Sequence, residues 1–172
     1  MWANRRLHCG LALAVILAGG CSQSVDVTST YGPGVRFSDT ARTYAWAPGS
    51  EAVAGEGRPE NPSADKLIRE FVDAHLARKG YEKASADAKP DFWVDYVAAR
   101  GTRPDANDFT KPRYPVGQLA ILALEPGTSK LIWKGTAETR LNESAPPEEV
   151  RKRLDLVVGK VIDQAPTAKP KS

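Results

Sequence analysis

Cysteine, histidine and methionine are nearly missing from this sequence. Its 172 residues hold two cysteines, two histidines and one methionine. Cys9 and Cys21 both fall at the start of the chain. The rest therefore has no internal disulfide and none of the usual CxxC or Cys/His zinc spacings. His8 lies in the same early segment, which leaves His75 as the one histidine of the body. No Ser-His-Asp set with a nucleophile elbow is visible, nor a glycine loop of the phosphate-binding kind. A surplus of one charge is also missing. The formal charge is +3, and the two arginines of residues 1–20 account for most of it. Without that segment 22 basic residues face 21 acidic ones, a net +1. This argues against a nucleic-acid binder or a general anionic-surface binder, which needs concentrated basic charge. The 41% hydrophobic and 26% charged content is that of a folded globular chain.

What is present begins with a leader. Residues 1–7 carry Arg5 and Arg6 and no acid, and Leu11–Leu17 form an apolar run. Leu7–Gly20 is uncharged over 14 residues, too short for the roughly 20 that cross a bilayer as a helix. The run closes on Ala18-Gly19-Gly20-Cys21, where small residues before the cysteine leave room for a peptidase acting beside a lipid-modified thioether. This resembles the bacterial lipobox, with Ala18 where leucine is commonest. The resemblance implies a signal peptide over 1–20, cleavage between Gly20 and Cys21, and diacylglycerol with a further acyl chain, such as palmitate, on Cys21. Several acyl chains make an essentially permanent anchor, at about 0.8 kcal/mol per buried CH₂. Ser22, rather than Asp, follows the cysteine and resembles the outer-membrane sorting class. The expected address is therefore the periplasmic face of the outer membrane.

The mature chain reads as one domain. Residues 21–30 form a tether and candidate first strand, 31–165 an α+β domain, and 166–172 a disordered basic tail. Arg42–Ala47 reads as a strand. Asn61-Pro62 opens a helix whose apolar face holds Leu67, Ile68, Phe71, Val72, His75 and Leu76, and Gly80 ends it. Phe92–Ala99 alternates as a strand. Gly101–Gly117, with three prolines, reads as a long exposed loop. Gln118–Leu124 and Leu131–Arg140 form a hairpin. Pro146-Pro147-Glu148-Glu149 starts a second helix, with Val150, Leu154, Val157, Val158, Val161, Ile162 and Ala165 on one face. The expected fold is a mostly antiparallel sheet with both amphipathic helices on one face.

Certain pieces, in this order, are similar to those of a known family: Tyr44-Ala-Trp46, Asn61-Pro62, Lys79-Gly-Tyr81, Pro90-Asp-Phe-Trp-Val-Asp-Tyr96, Leu131-Ile-Trp-Lys-Gly-Thr-Ala137 and the closing Pro-Glu-Glu helix. Together they resemble domain-of-unknown-function family 4136, small lipoproteins of Gram-negative bacteria. Thr30 stands where the family often has an acid. The resemblance implies a fold and an envelope address, and no activity.

Candidate chemistry is sparse. Alternation puts Asp91, Trp93 and Asp95 on one strand face, a candidate ligand face for a sugar or an acid/base pair. Four residues along a strand span roughly 13 Å, however, which is too long for paired carboxylates. A solvated strand face or edge is the plainer reading. Trp46, Trp93 and Trp133 read as core packing, and His75 as a packed histidine. No catalytic, metal or cofactor set is expected. The sequence points to a non-catalytic anchored protein with a membrane and an unidentified envelope protein as partners, and no nucleic acid. Two alternatives remain: a binder of lipid or cell-wall fragments using residues 101–117 as a flap, and a glycan- or peptidoglycan-acting enzyme using Asp91 and Asp95.

Overall fold

The computed structural model describes residues 24–34, 37–50, 57–59, 61–105 and 110–169. Gly20 and Cys21, with the rest of the expected leader, lie outside the described residues. Six strands and two helices follow in the order β1 Val25–Tyr31, β2 Thr43–Trp46, α1 Pro62–Arg78, β3 Glu82–Lys83, β4 Phe92–Arg103, β5 Tyr114–Leu124, β6 Leu131–Arg140 and α2 Pro147–Asp163. They make one sheet in the order β1-β6-β5-β4-β2-β3. The pairs β1–β6, β6–β5 and β5–β4 are antiparallel, while β2 runs parallel to both β3 and β4. This is the expected α+β fold, with a β2–α1–β4 crossover that makes one parallel corner.

Local chemistry explains the helix limits. The Asn61 side chain accepts a hydrogen bond from the Ser63 amide at 2.9 Å, and Pro62 occupies the first turn. Gly80, at φ +86°, takes the left-handed conformation that stops α1. In α2 the first turn holds Glu148 and Glu149, where the helix dipole favours them, and no side chain caps it. Asn61 and the two glutamates are thus both legible in the sequence.

Both helices lie on one face of the sheet. Phe92, Val94 and Tyr96 of β4, Leu119, Ile121 and Ala123 of β5, and Trp133 and Ala137 of β6 are buried there. They meet Ile68, Phe71, Val72 and Leu76 of α1, and Val157, Val158, Val161 and Ile162 of α2. Strand alternation makes this core face readable, and helical spacing supplies its cover. At the end of the sheet, Phe92 meets Phe37 and Tyr81 with ring centroids 5.1 and 5.2 Å apart. His75 packs between the helices, its Nε2 2.8 Å from Asp155. It is a packed histidine, as its place on α1 suggests.

Three expectations need correction. The loop expected over 101–117 is shorter, confined to 104–113, because Gly101–Arg103 pair with Tyr114–Val116 as the end of a long hairpin. Gly101–Arg103 are all exposed, so apolar alternation fades while the backbone ladder continues. Trp93 is not core: it lies on the face opposite the helices, half-buried, while Trp133 is buried and Trp46 packs against the core from its margin. The tail expected to be disordered from residue 166 is held through Lys169. Tyr81 donates to the Pro166 carbonyl at 3.1 Å, and the Ala168 amide donates to the Lys79 carbonyl at 3.0 Å. Lys79 Nζ also donates to the carbonyls of Asp163 and Ala165, each at 2.9 Å. These are tertiary contacts that composition does not reveal.

Candidate functional site

Among the described residues, the sheet has one face under the helices and one without a helix over it. Strand register sorts the residues of the second face into rows. Ala45, Trp93 and Leu124 form one row, and Asp95, Leu122 and Lys134 the next. Val97, Ala120, Thr136 and Thr28 form a third. Apart from Asp95, which is ion-paired with Arg58, the β2–β4–β5 side of this face is apolar, with Trp93, Leu122 and Leu124 half-buried and Val97 exposed. The β6–β1 side is polar, and there the Thr28 and Thr136 hydroxyls lie 2.7 Å apart.

Asp91, Trp93 and Asp95 do share this face, but the two carboxylates hold the chain rather than facing a common ligand. Asp91 Oδ2 accepts from the amides of Arg42 and Thr43 at 2.8 Å each, and from the Thr43 hydroxyl at 2.9 Å. These bonds tie the entry of β2 to the entry of β4. Burial pushes the Asp91 pKa up, but the donated bonds and the Arg42 charge outweigh it, leaving the carboxyl below its ordinary value. Asp95 accepts from the Tyr96 amide at 2.8 Å and is ion-paired with Arg58. The sequence singles out these two acids; apart from the neighbouring Tyr96 amide, their partners Arg42, Thr43 and Arg58 are remote in the chain and could not be read from it.

Sequence reasoning missed a cluster at the β4 edge. Arg58 also donates to the Tyr96 carbonyl, and its guanidinium lies 4.2 Å from the Tyr96 ring centroid. Tyr96 in turn donates to Asp65, which accepts from Arg69 Nε at 3.0 Å. Arg69 stacks on Trp46 at 4.5 Å and donates to the Ser50 carbonyl. Close by, Asp73 accepts from the Tyr44 hydroxyl at 2.9 Å, Trp46 Nε1 at 3.0 Å and Lys83 Nζ at 2.9 Å. Burial, reinforced by Asp65, raises the Tyr96 phenol, and burial with Asp73 raises that of Tyr44. Burial works to raise Asp65 as well, but the bonds from Tyr96 and Arg69 and the two arginine charges hold it below the ordinary carboxylate value. The only sequence signal for this network is the i,i+4 spacing of Asp65 and Arg69. Each acid in it is committed to donors, so the cluster is built to fix the segment around Arg58 against β4.

A shallow cleft of about 370 Å³ lies at the other edge of the core, between Phe37, Ala41, Tyr81 and the docked residues Pro166–Lys169. Asp39 and Lys169 close its rim at 2.9 Å, and burial pushes the Tyr81 phenol up to about 12. Among the described residues, no group of three or more His, Cys, Asp or Glu side chains is placed to hold a metal ion. No described helix is long and apolar enough to cross a membrane.

A family model described as a domain of unknown function, DUF4136, matches residues 27–167. The chain belongs to that family. The match runs from β1 to the docked tail, so the DUF4136 domain includes both the open sheet face and the cleft. No curated protein sequence matches the chain. Among solved structures, the DUF4136 domain is similar to PelC from Paraburkholderia phytofirmans, described as a dodecamer. A single-substitution variant of that protein has a TM-score of 0.53 at 13% identity, over 86% of this chain and 100% of that one. A second PelC dodecamer structure has a TM-score of 0.52 at 14% identity, over the same shares of the two chains. A PDZ domain protein from Parabacteroides distasonis has a TM-score of 0.56 at 16% identity, over 86% of this chain and 37% of that one. At such identities the likeness is one of fold.

Proposed function

We propose that this protein is a non-catalytic lipoprotein, anchored through Cys21 at the periplasmic face of the outer membrane, which scaffolds or binds envelope protein through its open sheet face. The observation that carries the binding part is the uneven cover of the sheet. Two helices bury one face, while Trp93, Leu122, Leu124 and Val97 leave an apolar patch on the other. Apolar surface gathered on one face of a folded domain marks a place for a partner. The leader and the Ala18-Gly19-Gly20-Cys21 sequence support the anchor.

The commitment of Asp91 and Asp95 to amides, a hydroxyl and Arg58 supports a non-catalytic role. A carboxylate fixed by three donors is held ionised and is a poor general acid. PelC is described as a dodecamer, and by that likeness of fold the first partner to consider is a second copy of this chain. The outer edge of β1, unpaired among the described residues, offers a further surface for it.

The deciding experiment is intact-mass analysis of the mature protein from a Gram-negative host, with membrane fractionation, beside Cys21→Ser. The expected result is a chain that starts at a tri-acylated Cys21 and sediments with outer membrane. A soluble product cut elsewhere and indifferent to Cys21→Ser would overturn the anchor. A small-ligand role has one observation in its favour, the cleft at Phe37 and Tyr81. That site is remote from residues 101–117, where strand pairing takes up seven of the seventeen residues of the expected flap.

A further inference from the structure

The anchor reading has a geometric consequence, because Cys21 precedes β1 by only four residues. Fully extended, four residues reach about 14 Å. Whatever holds Cys21 must therefore lie close to Val25, at one identifiable end of the sheet. Strand register shows what else is there. Val25 pairs with Thr139, Thr139 with Gly117, and Gly117 with Arg100, one continuous row across four strands. The next row holds Arg140, Val116 and Gly101, and the row with Arg103 and Tyr114 lies two residues further out.

This end is rich in arginine. Arg100, Arg103, Arg113 and Arg140 are all exposed. The Arg140 guanidinium lies 4.5 Å from the Tyr114 ring centroid, which directs it along the hairpin. Arg113 donates to the Thr102 hydroxyl and carbonyl, each at 3.0 Å, so its head is fixed on the same hairpin. Among the described residues here, the acids are Asp26, Asp105, Glu138 and Glu143, with Glu148 and Glu149 in the first turn of α2, and Glu138 is already engaged by Arg103 and Gln118. Neither Arg100 nor Arg140 is tied in an ion pair among the described residues. A net charge near +1 for the mature chain conceals this placement, since balance over the whole chain says nothing about one end of the sheet.

We propose that this end of the sheet is the membrane-facing surface, with Arg100 and Arg140 binding the phosphates of anionic phospholipid headgroups while Tyr114 sits at the headgroup level. The proposal rests on the Cys21 anchor and adds to it a fixed posture of the domain. Guanidinium groups pair with phosphate through two parallel N–H donors and keep their stems on apolar surface while the head stays hydrated. A basic side chain near an anionic surface contributes roughly a factor of five in binding. In this posture the strands of the β4–β5 hairpin point toward the bilayer. The Glu125–Lys130 turn, with Thr128, stands away from it by the length of the sheet, roughly 30 Å. The cleft at Phe37 and Tyr81 also faces the periplasm, because Tyr31 lies at the far end of β1.

The test uses the acylated protein in vesicles of phosphatidylcholine with about one third phosphatidylglycerol, an anionic surface of the kind basic residues read. A fluorophore is placed on Ser144→Cys, exposed near the proposed surface, or on Thr128→Cys, exposed at the far turn. A headgroup-located quencher should quench the label at position 144 strongly and leave that at 128 nearly untouched. An Arg100→Gln, Arg140→Gln double variant should lower the population of this posture about thirtyfold, and the contrast between labels should be lost. Equal quenching at both positions, or the reverse order, in a protein whose mass confirms acylated Cys21 would overturn the posture and leave the anchor standing. A contrast that persists in the double variant would overturn the role of the two arginines. Protein without acyl chains on Cys21 would overturn the anchor, and the posture with it.

Discussion

A few single residues carry more of this fold than their neighbours do. Gly135 is one. A Cβ there would come within 2.6 Å of both Trp133 Cη2 and Val161 Cγ1, so its hydrogen is what lets the buried indole and α2 share one site on β6. Gly135→Ala is expected to destabilise the protein by about 1–3 kcal/mol, the range for overpacking a tight core. The midpoint of urea unfolding would show it, and an unchanged midpoint would refute the packing account. Asp91 is another. Its lowered pKa means that the ionised form stabilises the fold. That contribution is fully present above the unfolded carboxylate value of 3.8 and is lost as pH falls through the lower folded value. Asp91→Asn should weaken the protein near neutral pH by about 1 kcal/mol and flatten its acid unfolding below about pH 4. Stability measured against pH for both proteins tests this. Asp91 stood out in the sequence because alternation places it on one strand face with Trp93 and Asp95. Its role did not, because Arg42 and Thr43 lie nearly fifty positions away.

Elements were legible where burial imposes a period. Both helices and the β5–β6 hairpin face the core along much of their length, and their apolar spacing records it. Legibility failed at the outer half of β4, where the exposed Arg100–Arg103 pair with β5 beyond the helix-covered core. Backbone pairing leaves no trace in a strand's side-chain pattern when neither of its faces is buried. It failed also for β3, a two-residue edge that exists only because β2 offers it hydrogen bonds. The two helix starts make a contrast that can be tested at this scale. α1 has a side-chain cap in Asn61, and α2 relies on Pro147 and two acidic residues. Asn61→Ala is expected to cost about 1 kcal/mol. It should open the first turn of α1 and loosen Asp65, whose bonds to Tyr96 and Arg69 start from that turn. Amide exchange should accelerate at Ser63–Asp65, and thermal unfolding should come earlier. Unaltered exchange there would show that the Arg69–Trp46 cluster, not the cap, holds the helix start.

The described residues form a sheet with one face covered, one face open and, on the anchor reading, one end tethered. A tether at Val25 leaves the open face parallel to the anchor direction and accessible from the side, which suits lateral contact between neighbouring copies on one membrane. Lateral contact adds little per molecule in solution but is favoured once an anchor confines copies to a surface, because effective concentration rises. The apolar row of Ala45, Trp93 and Leu124 is the natural centre of such a contact, since tryptophan dominates the energetics of many interfaces. Trp93→Gln should leave the core intact, because every core aromatic lies on the helix-covered side. The acylated protein reconstituted in vesicles is expected to crosslink into multimers whose masses are read after solubilisation, and Trp93→Gln into a smaller species with unchanged secondary structure. Identical masses for the two proteins would remove Trp93 from the interface. A monomer in both cases would remove self-association, and the open face would then belong to a different envelope protein.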